Sequence, residues 1–401
     1  MIFSSLITAL LNIIAPSPSA IPVIPWQTAS IFELPTEANP EIESIVNEYL
    51  QGLQQRGLNL SQQGVWIQTP WVDLASNQGM IPLPSASTTK LVTSLGALNT
   101  WEINHRFITN IYTKGAVTNG ILQGDLIIEN GGNPFFVWED AIIIAHELQQ
   151  QGIKSIDGNL IIVGNWQMNF TADVAKSAEF LRVAFNSSQW NWQVEKQYKT
   201  LEKSISRPTI KITGKTVFRD DLPAEISLFK AHQSAQLIEI LKLMNVYSNN
   251  YIAQSLTDQM GGVEKMVEGA LPLINVPSNE IQLINGSGLG EENRISPRAA
   301  CQILLALERQ LQANNLQFSD LLPTSAPQNI GTIEGRKIPH GISVKTGTLA
   351  VVSALVGVFD DPSGQKVYFS LMNYGNGLDD LRNRQDQLLI NLDNYYHKMD
   401  K

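Results

Sequence analysis

The chain has 401 residues, 43% of them hydrophobic and 16% charged, with a formal net charge of −9. The apolar content excludes a disordered protein, Gly and Pro without a repeat exclude a collagenous one, and no central stretch reaches the length of about 18 apolar residues that a polytopic membrane protein needs. No run of Lys and Arg gives the basic footprint of a nucleic-acid binder, and a single cysteine, Cys301, excludes an intramolecular disulfide and a Cys-based metal cluster.

In chain order, Ile2 to Ala15 is apolar and is followed by Pro16-Ser17-Pro18-Ser19-Ala20. That length fits a signal-peptide core, so residues 1–20 are expected to be an export signal, although no Lys or Arg precedes Arg56. A mis-assigned start or a short helix lying on a membrane surface is the alternative. Helical spacing marks Glu41 to Leu53, strands are expected at Gly64–Gln68 and around Val72–Leu74, and Ser76–Gly79 has turn composition. A helix is expected from near Ser87 to Leu98. From about 107 to 165 short β-like runs dominate (Phe107–Tyr112, Leu122–Glu129, Gly158–Val163), interrupted by a helix at Trp138–Gln150. Residues 170–224 give no clear pattern. Helices follow at Ser234–Met244, Tyr251–Met260 and 297–312, the last with Pro297 in its first turn. Strand-like residues run from 342–349 through 359 and again over 366–373, joined by Asp360–Gly364, and a helix over Leu378–Tyr396 closes the chain. The expected class is therefore α/β (α+β), a body divided by a β-rich insert.

Three short motifs carry chemistry. In Ser87-Thr88-Thr89-Lys90, residues i and i+3 share a helix face, so the Lys90 amine meets the Ser87 hydroxyl. A serine hydroxyl is a poor nucleophile until a base takes its proton, and a desolvated lysine can be that base. Two other strings of the same spacing, Ser227–Lys230 and Ser363–Lys366, show how weak this signal is alone. Ser248-Asn249-Asn250 opens a helix; its hydroxyl can relay a proton and the Asn250 amide can donate and accept hydrogen bonds. Lys345-Thr346-Gly347-Thr348 follows a strand. It offers a cation, two hydroxyls and a glycine that permits close backbone approach.

In one chain and in this order, the three motifs resemble those of penicillin-recognising serine enzymes. The sequence is similar to the serine D-alanyl-D-alanine carboxypeptidase/endopeptidases, the low-molecular-mass penicillin-binding proteins of the class C type with an inserted domain. Pro84–Leu91, Gly131-Gly132-Asn133-Pro134 and Asn285-Gly286-Ser287-Gly288-Leu289 resemble further strings of that subgroup. Asn133 and Asn285 each replace its usual Asp. Ser87 and Ser248 are 161 positions apart, and Ser248 and Lys345 are 97 apart. The first gap suits one inserted domain.

The resemblance implies a penicillin-binding protein/serine β-lactamase-like transpeptidase fold. Its expected parts are a catalytic domain over 21–109 and 225–401 and an insert over 110–224. It also implies the chemistry: Lys90 deprotonates Ser87, which attacks the penultimate D-alanine carbonyl. The N–H groups of Ser87 and Thr348 hold the oxyanion, and Ser248 hands a proton to the departing D-alanine. Asn250, Lys345, Thr346, Gly347 and Thr348 bind substrate, Lys345 also depresses the Lys90 pKa, and water releases the acyl group. The implied partners are peptidoglycan stem peptides and, as acylating inhibitors, β-lactam antibiotics. No metal or organic cofactor is required, and the expected location is periplasmic or extracytoplasmic. A β-lactamase or esterase of the same fold, or a non-catalytic cell-wall-binding protein, stays open as an alternative. Other candidates fail: His146-Glu147 lacks the second histidine of a zinc pair because position 150 is Gln, and no GxSxG elbow is present.

Overall fold

The computed structural model describes residues 39–399. The expected export signal at 1–20 lies outside the described residues. A five-stranded antiparallel sheet runs in the order Ser343–Leu349, Val352–Asp360, Lys366–Tyr374, Gln63–Gln68, Asp73–Asn77. An early strand thus pairs with the last one, Trp66 opposite Ser370. The Gln63–Gln68 strand is buried along its whole length because both sheet faces are covered. Alternation sends Val65 and Ile67 to one face, where helices Pro40–Gln55 and Leu378–Met399 pack. Trp66 points to the other, against helices Lys90–Thr100, Leu237–Val246, Asn250–Gln259, Val263–Ala270 and Pro297–Gln312. The strand expected to run from 342 through 359 is two strands folded back at Ala350–Val351, with Thr348 opposite Ser353.

A second, smaller sheet places the chemistry. Leu83–Pro84 pairs with Arg294–Ile295, which pairs with Ile281–Gln282. The residues leading into Ser87 are thereby fixed beside both ends of the glycine-rich loop at 285–290. The helix expected from Ser87 begins instead as a 3-10 turn, Ala86–Thr89, and becomes α-helical at Lys90. Ala86 sits in the left-handed region (φ 45°), which reverses the chain just before the serine.

Residues 108–233 build two further sheets. One has the order Thr216–Arg219, Leu160–Val163, Leu126–Glu129, Ile108–Thr113, Ser227–Gln233; the other joins short strands at 211–212, 155–156, 121–122 and 117–118. Helices Trp138–Gln150, Val174–Phe185 and Trp192–Tyr198 cover them, enclosing an apolar core centred on Ile128, Leu160, Trp166 and Phe185. The unreadable stretch 170–224 thus holds two helices. The strand Ser227–Gln233, pairing with Ile108–Thr113, carries this sheet past residue 224. Both stray serine–lysine strings lie away from the motifs: Lys230 pairs with Glu147 at 2.9 Å, and Lys366 pairs with Asp360 at 2.6 Å.

Candidate active site

Ser87 lies at the foot of the Lys90–Thr100 helix, half-buried and open to one side. The amine of Lys90, on the same face, donates to Ser87 Oγ at 3.0 Å, to Asn250 Oδ1 at 2.7 Å and to the Ser287 carbonyl at 2.7 Å. Lys90 is fully buried, and that burial pulls its pKa down to about 7. Three acceptors around one nitrogen fix its position, and near neutrality it is free to take a proton.

Asn249 caps the Asn250–Gln259 helix by accepting from the Ile252 N–H at 3.0 Å. That cap turns the next residue, Asn250, toward Lys90. Ser248 precedes the cap in a left-handed conformation (φ 54°), and its Oγ accepts from Lys345 Nζ at 3.1 Å. Lys345 is also fully buried and donates to the Thr346 carbonyl at 2.7 Å. Its pKa lies well below the usual lysine range, through burial first and the neighbouring Lys90 charge second. Burial is the first cause of the lowered Lys90 pKa, and the expected repulsion between the two amines is present as well, lowering Lys345.

The strand Ser343–Leu349 lies at the sheet edge facing the serine. A Cβ on Gly347 would stand 3.1 Å from the Ser87 nitrogen and 2.7 Å from the Ser85 carbonyl, so only glycine lets strand and turn approach this closely. All eight residues singled out in the sequence fall within this arrangement: Ser87, Lys90 and Asn250 around one amine, Ser248, Lys345 and Thr346 around the other, and Gly347 with Thr348 on the strand edge between turn and solvent.

Three contributors have no role assigned by the sequence, although two of them lie in the Asn285–Leu289 string. The Ser287 carbonyl acts through its backbone, so no residue type marks it. Asn285 builds the loop that presents it, accepting from the N–H groups of Ser287 (3.1 Å) and Gly288 (2.8 Å) and donating to the Leu289 carbonyl (2.7 Å). The third is Arg382 on the terminal helix, which donates to Thr348 Oγ1 at 3.2 Å. Asn133, by contrast, is a buried turn residue that accepts from the Phe135 N–H at 2.9 Å. Cys301 is buried, and burial raises its thiol pKa well above the ordinary range, so it stays a thiol.

A serine paired with a buried lysine, beneath the edge strand of an antiparallel sheet with helices on both faces, defines the class of penicillin-recognising serine hydrolases. The chain matches the D-Ala-D-Ala carboxypeptidase 3 (S13) family over residues 50–169 and 162–395. It belongs to that family and is a serine-type D-Ala-D-Ala peptidase. It is 22% identical to the D-alanyl-D-alanine carboxypeptidase DacB of Haemophilus influenzae, an alignment covering 88% of this chain and 92% of that protein. Among solved structures it is similar to the predatory endopeptidase Bd0816 of Bdellovibrio bacteriovorus in complex with the immunity protein Bd3460, with a TM-score of 0.70, 21% identity, and coverage of 84% of this chain and 93% of that one. It is also similar to the penicillin G-acylated endopeptidase Bd3459 of the same organism, with a TM-score of 0.67, 21% identity, and coverage of 84% and 90%. At these identities the two structures show the fold.

Proposed function

We propose that Ser87 is the nucleophile of this enzyme and that it forms an acyl-enzyme with the penultimate D-alanine of peptidoglycan stem peptides. The observation that carries this is the 3.0 Å hydrogen bond from the buried Lys90 amine to Ser87 Oγ, with Asn250 and the Ser287 carbonyl holding the amine in place. With a pKa near 7, Lys90 takes the hydroxyl proton as Oγ attacks. Charge building on the carbonyl oxygen falls to the N–H groups of Ser87 and Thr348, each such donor contributing about 3 kcal/mol. Ser248, linked to Lys345, passes a proton to the departing amine. The leaving D-alanine carries its carboxylate to Thr346 and Thr348, and water then cleaves the ester.

β-Lactams acylate the same serine, a reading supported by the penicillin G-acylated state of one fold relative. The substrate lies outside the cytoplasmic membrane, so the enzyme works in an extracytoplasmic compartment. The test is labelled penicillin with the native protein and Ser87→Ala. The native protein takes up label that survives denaturation and releases D-alanine from a pentapeptide, whereas the folded variant does neither. Label retained by Ser87→Ala removes the assignment of the nucleophile. Rapid turnover of penicillin with no D-alanine released favours a β-lactamase instead.

A further inference from the structure

We propose that Arg382 is a substrate-binding residue, one that selects peptides whose leaving group carries a free carboxylate beside its amine. The inference rests on the acyl-transfer reading above and adds to it a residue far from the three motifs.

Arg382 lies near the start of the terminal helix, which packs against the sheet. Its guanidinium reaches over the end of the edge strand and donates through one nitrogen to Thr348 Oγ1 at 3.2 Å. The other terminal nitrogen meets Asp379 at 3.2 Å, but the Asp379 side chain is 94% exposed, and such solvated pairs hold little energy. The Arg382 side chain itself is 34% exposed. It is therefore anchored at one corner and open to an incoming anion.

The place is where such an anion arrives. Gly347 touches the Ser87 turn, so a scissile carbonyl at Ser87 lies level with that part of the strand. One further residue of extended peptide spans about 3.5 Å, which carries the terminal carboxylate toward Thr348. Among the described residues, backbone pairing on the strand's outer edge ends at Val344, whose N–H donates to the Pro323 carbonyl at 2.9 Å, which leaves the stretch from Lys345 onward for such a peptide. The alternative cation, Lys345, has no exposed surface and already donates to Ser248 Oγ and the Thr346 carbonyl. Its depressed pKa also leaves it with less charge to offer. A guanidinium keeps its charge at every working pH, and its fork matches a carboxylate.

The experiment compares an acyl-D-Ala-D-Ala peptide with its C-terminal amide for native enzyme, Arg382→Ala and Arg382→Lys, with circular dichroism as a check on folding. A hydrogen bond to a charged group predicts a loss of about tenfold or more in kcat/KM for Arg382→Ala on the free acid, with the amide unchanged to within about twofold. Arg382→Lys recovers part of the loss, and the native enzyme prefers the acid. Equal losses on acid and amide overturn the proposal, because Arg382 then only props Thr348. No loss on either substrate reduces it to a surface ion pair. A native enzyme that takes no penicillin label and cleaves neither peptide refutes the acyl-transfer reading and this inference with it. Normal labelling with an unchanged acid-to-amide ratio sinks only Arg382.

Discussion

Lys90 shows what a single residue costs and provides. Kept out of water, its amine releases a proton near pH 7, whereas in the unfolded chain it holds that proton to above pH 10. Between those values the unfolded state binds the extra proton, so this residue makes stability rise with pH and imposes its full cost, on the order of 5 kcal/mol, below the folded pKa. Lys90→Met removes that dependence. Compared with the native protein, the variant should gain in Tm as pH falls from about 9 to about 6, although it loses three hydrogen bonds. A Tm difference that does not vary with pH would show that the amine is not titrating there. In the acyl-transfer mechanism proposed above, the same proton sets the rate. Acylation of native enzyme by a chromogenic β-lactam should rise about tenfold per pH unit below 7 and level off above it, in stopped-flow measurements across that range.

Among elements, the contact that matters most is between the glycine-rich loop and the turn bearing Ser87. Gly288 adopts φ 79°, and a Cβ there would stand 1.8 Å from the Ala86 carbonyl oxygen. Gly288→Ala must therefore push the turn away from Lys90. Acylation should slow by at least about tenfold and stability should drop by about 2 kcal/mol, measured by labelling rate and urea unfolding. Gly335→Ala is the control: its φ of 77° brings the same backbone strain, but nothing lies within 4 Å, so labelling should be unchanged. Elements of this kind were unevenly legible in the sequence. The limits of Trp138–Gln150 and Pro297–Gln312 are legible in the sequence because each has a long apolar period and a clear start. Val263–Ala270 and Trp192–Tyr198 are too short to show a period, and Trp192 faces solvent. The three motifs were legible because chemistry fixes their residue types and local spacing. The Thr348–Arg382 contact was not, because only the packing of the last helix on the sheet brings those two together.

At the scale of the whole molecule, the chain leaves the catalytic body after Phe107 and returns at Ser234, and those two residues are bonded to each other. The Phe107 N–H donates to Ser234 Oγ at 2.9 Å, and the Ser234 N–H donates to the Phe107 carbonyl at 3.0 Å. The segment between them has its own apolar core, and Phe135 is the side chain that packs instead against the body's core. Exit and entry this close are what a tolerated insertion requires, and a short closing loop adds little entropy. Replacing residues 108–233 with a short Gly/Ser linker should therefore leave a body that folds and is still labelled by penicillin at Ser87. Labelling should be slower, because the insert supports the helix that begins at Asn250: Gln259 donates to the Gly132 carbonyl at 2.8 Å, Tyr251 bonds to Gln167, and Phe170 packs on Tyr251. Hydrolysis of a stem pentapeptide should fall further than penicillin labelling if the longer substrate also uses the insert where it meets Tyr251. If the shortened chain is folded by circular dichroism yet takes no label, the insert is holding the Asn250–Lys90 contact in place and the catalytic body is not self-sufficient.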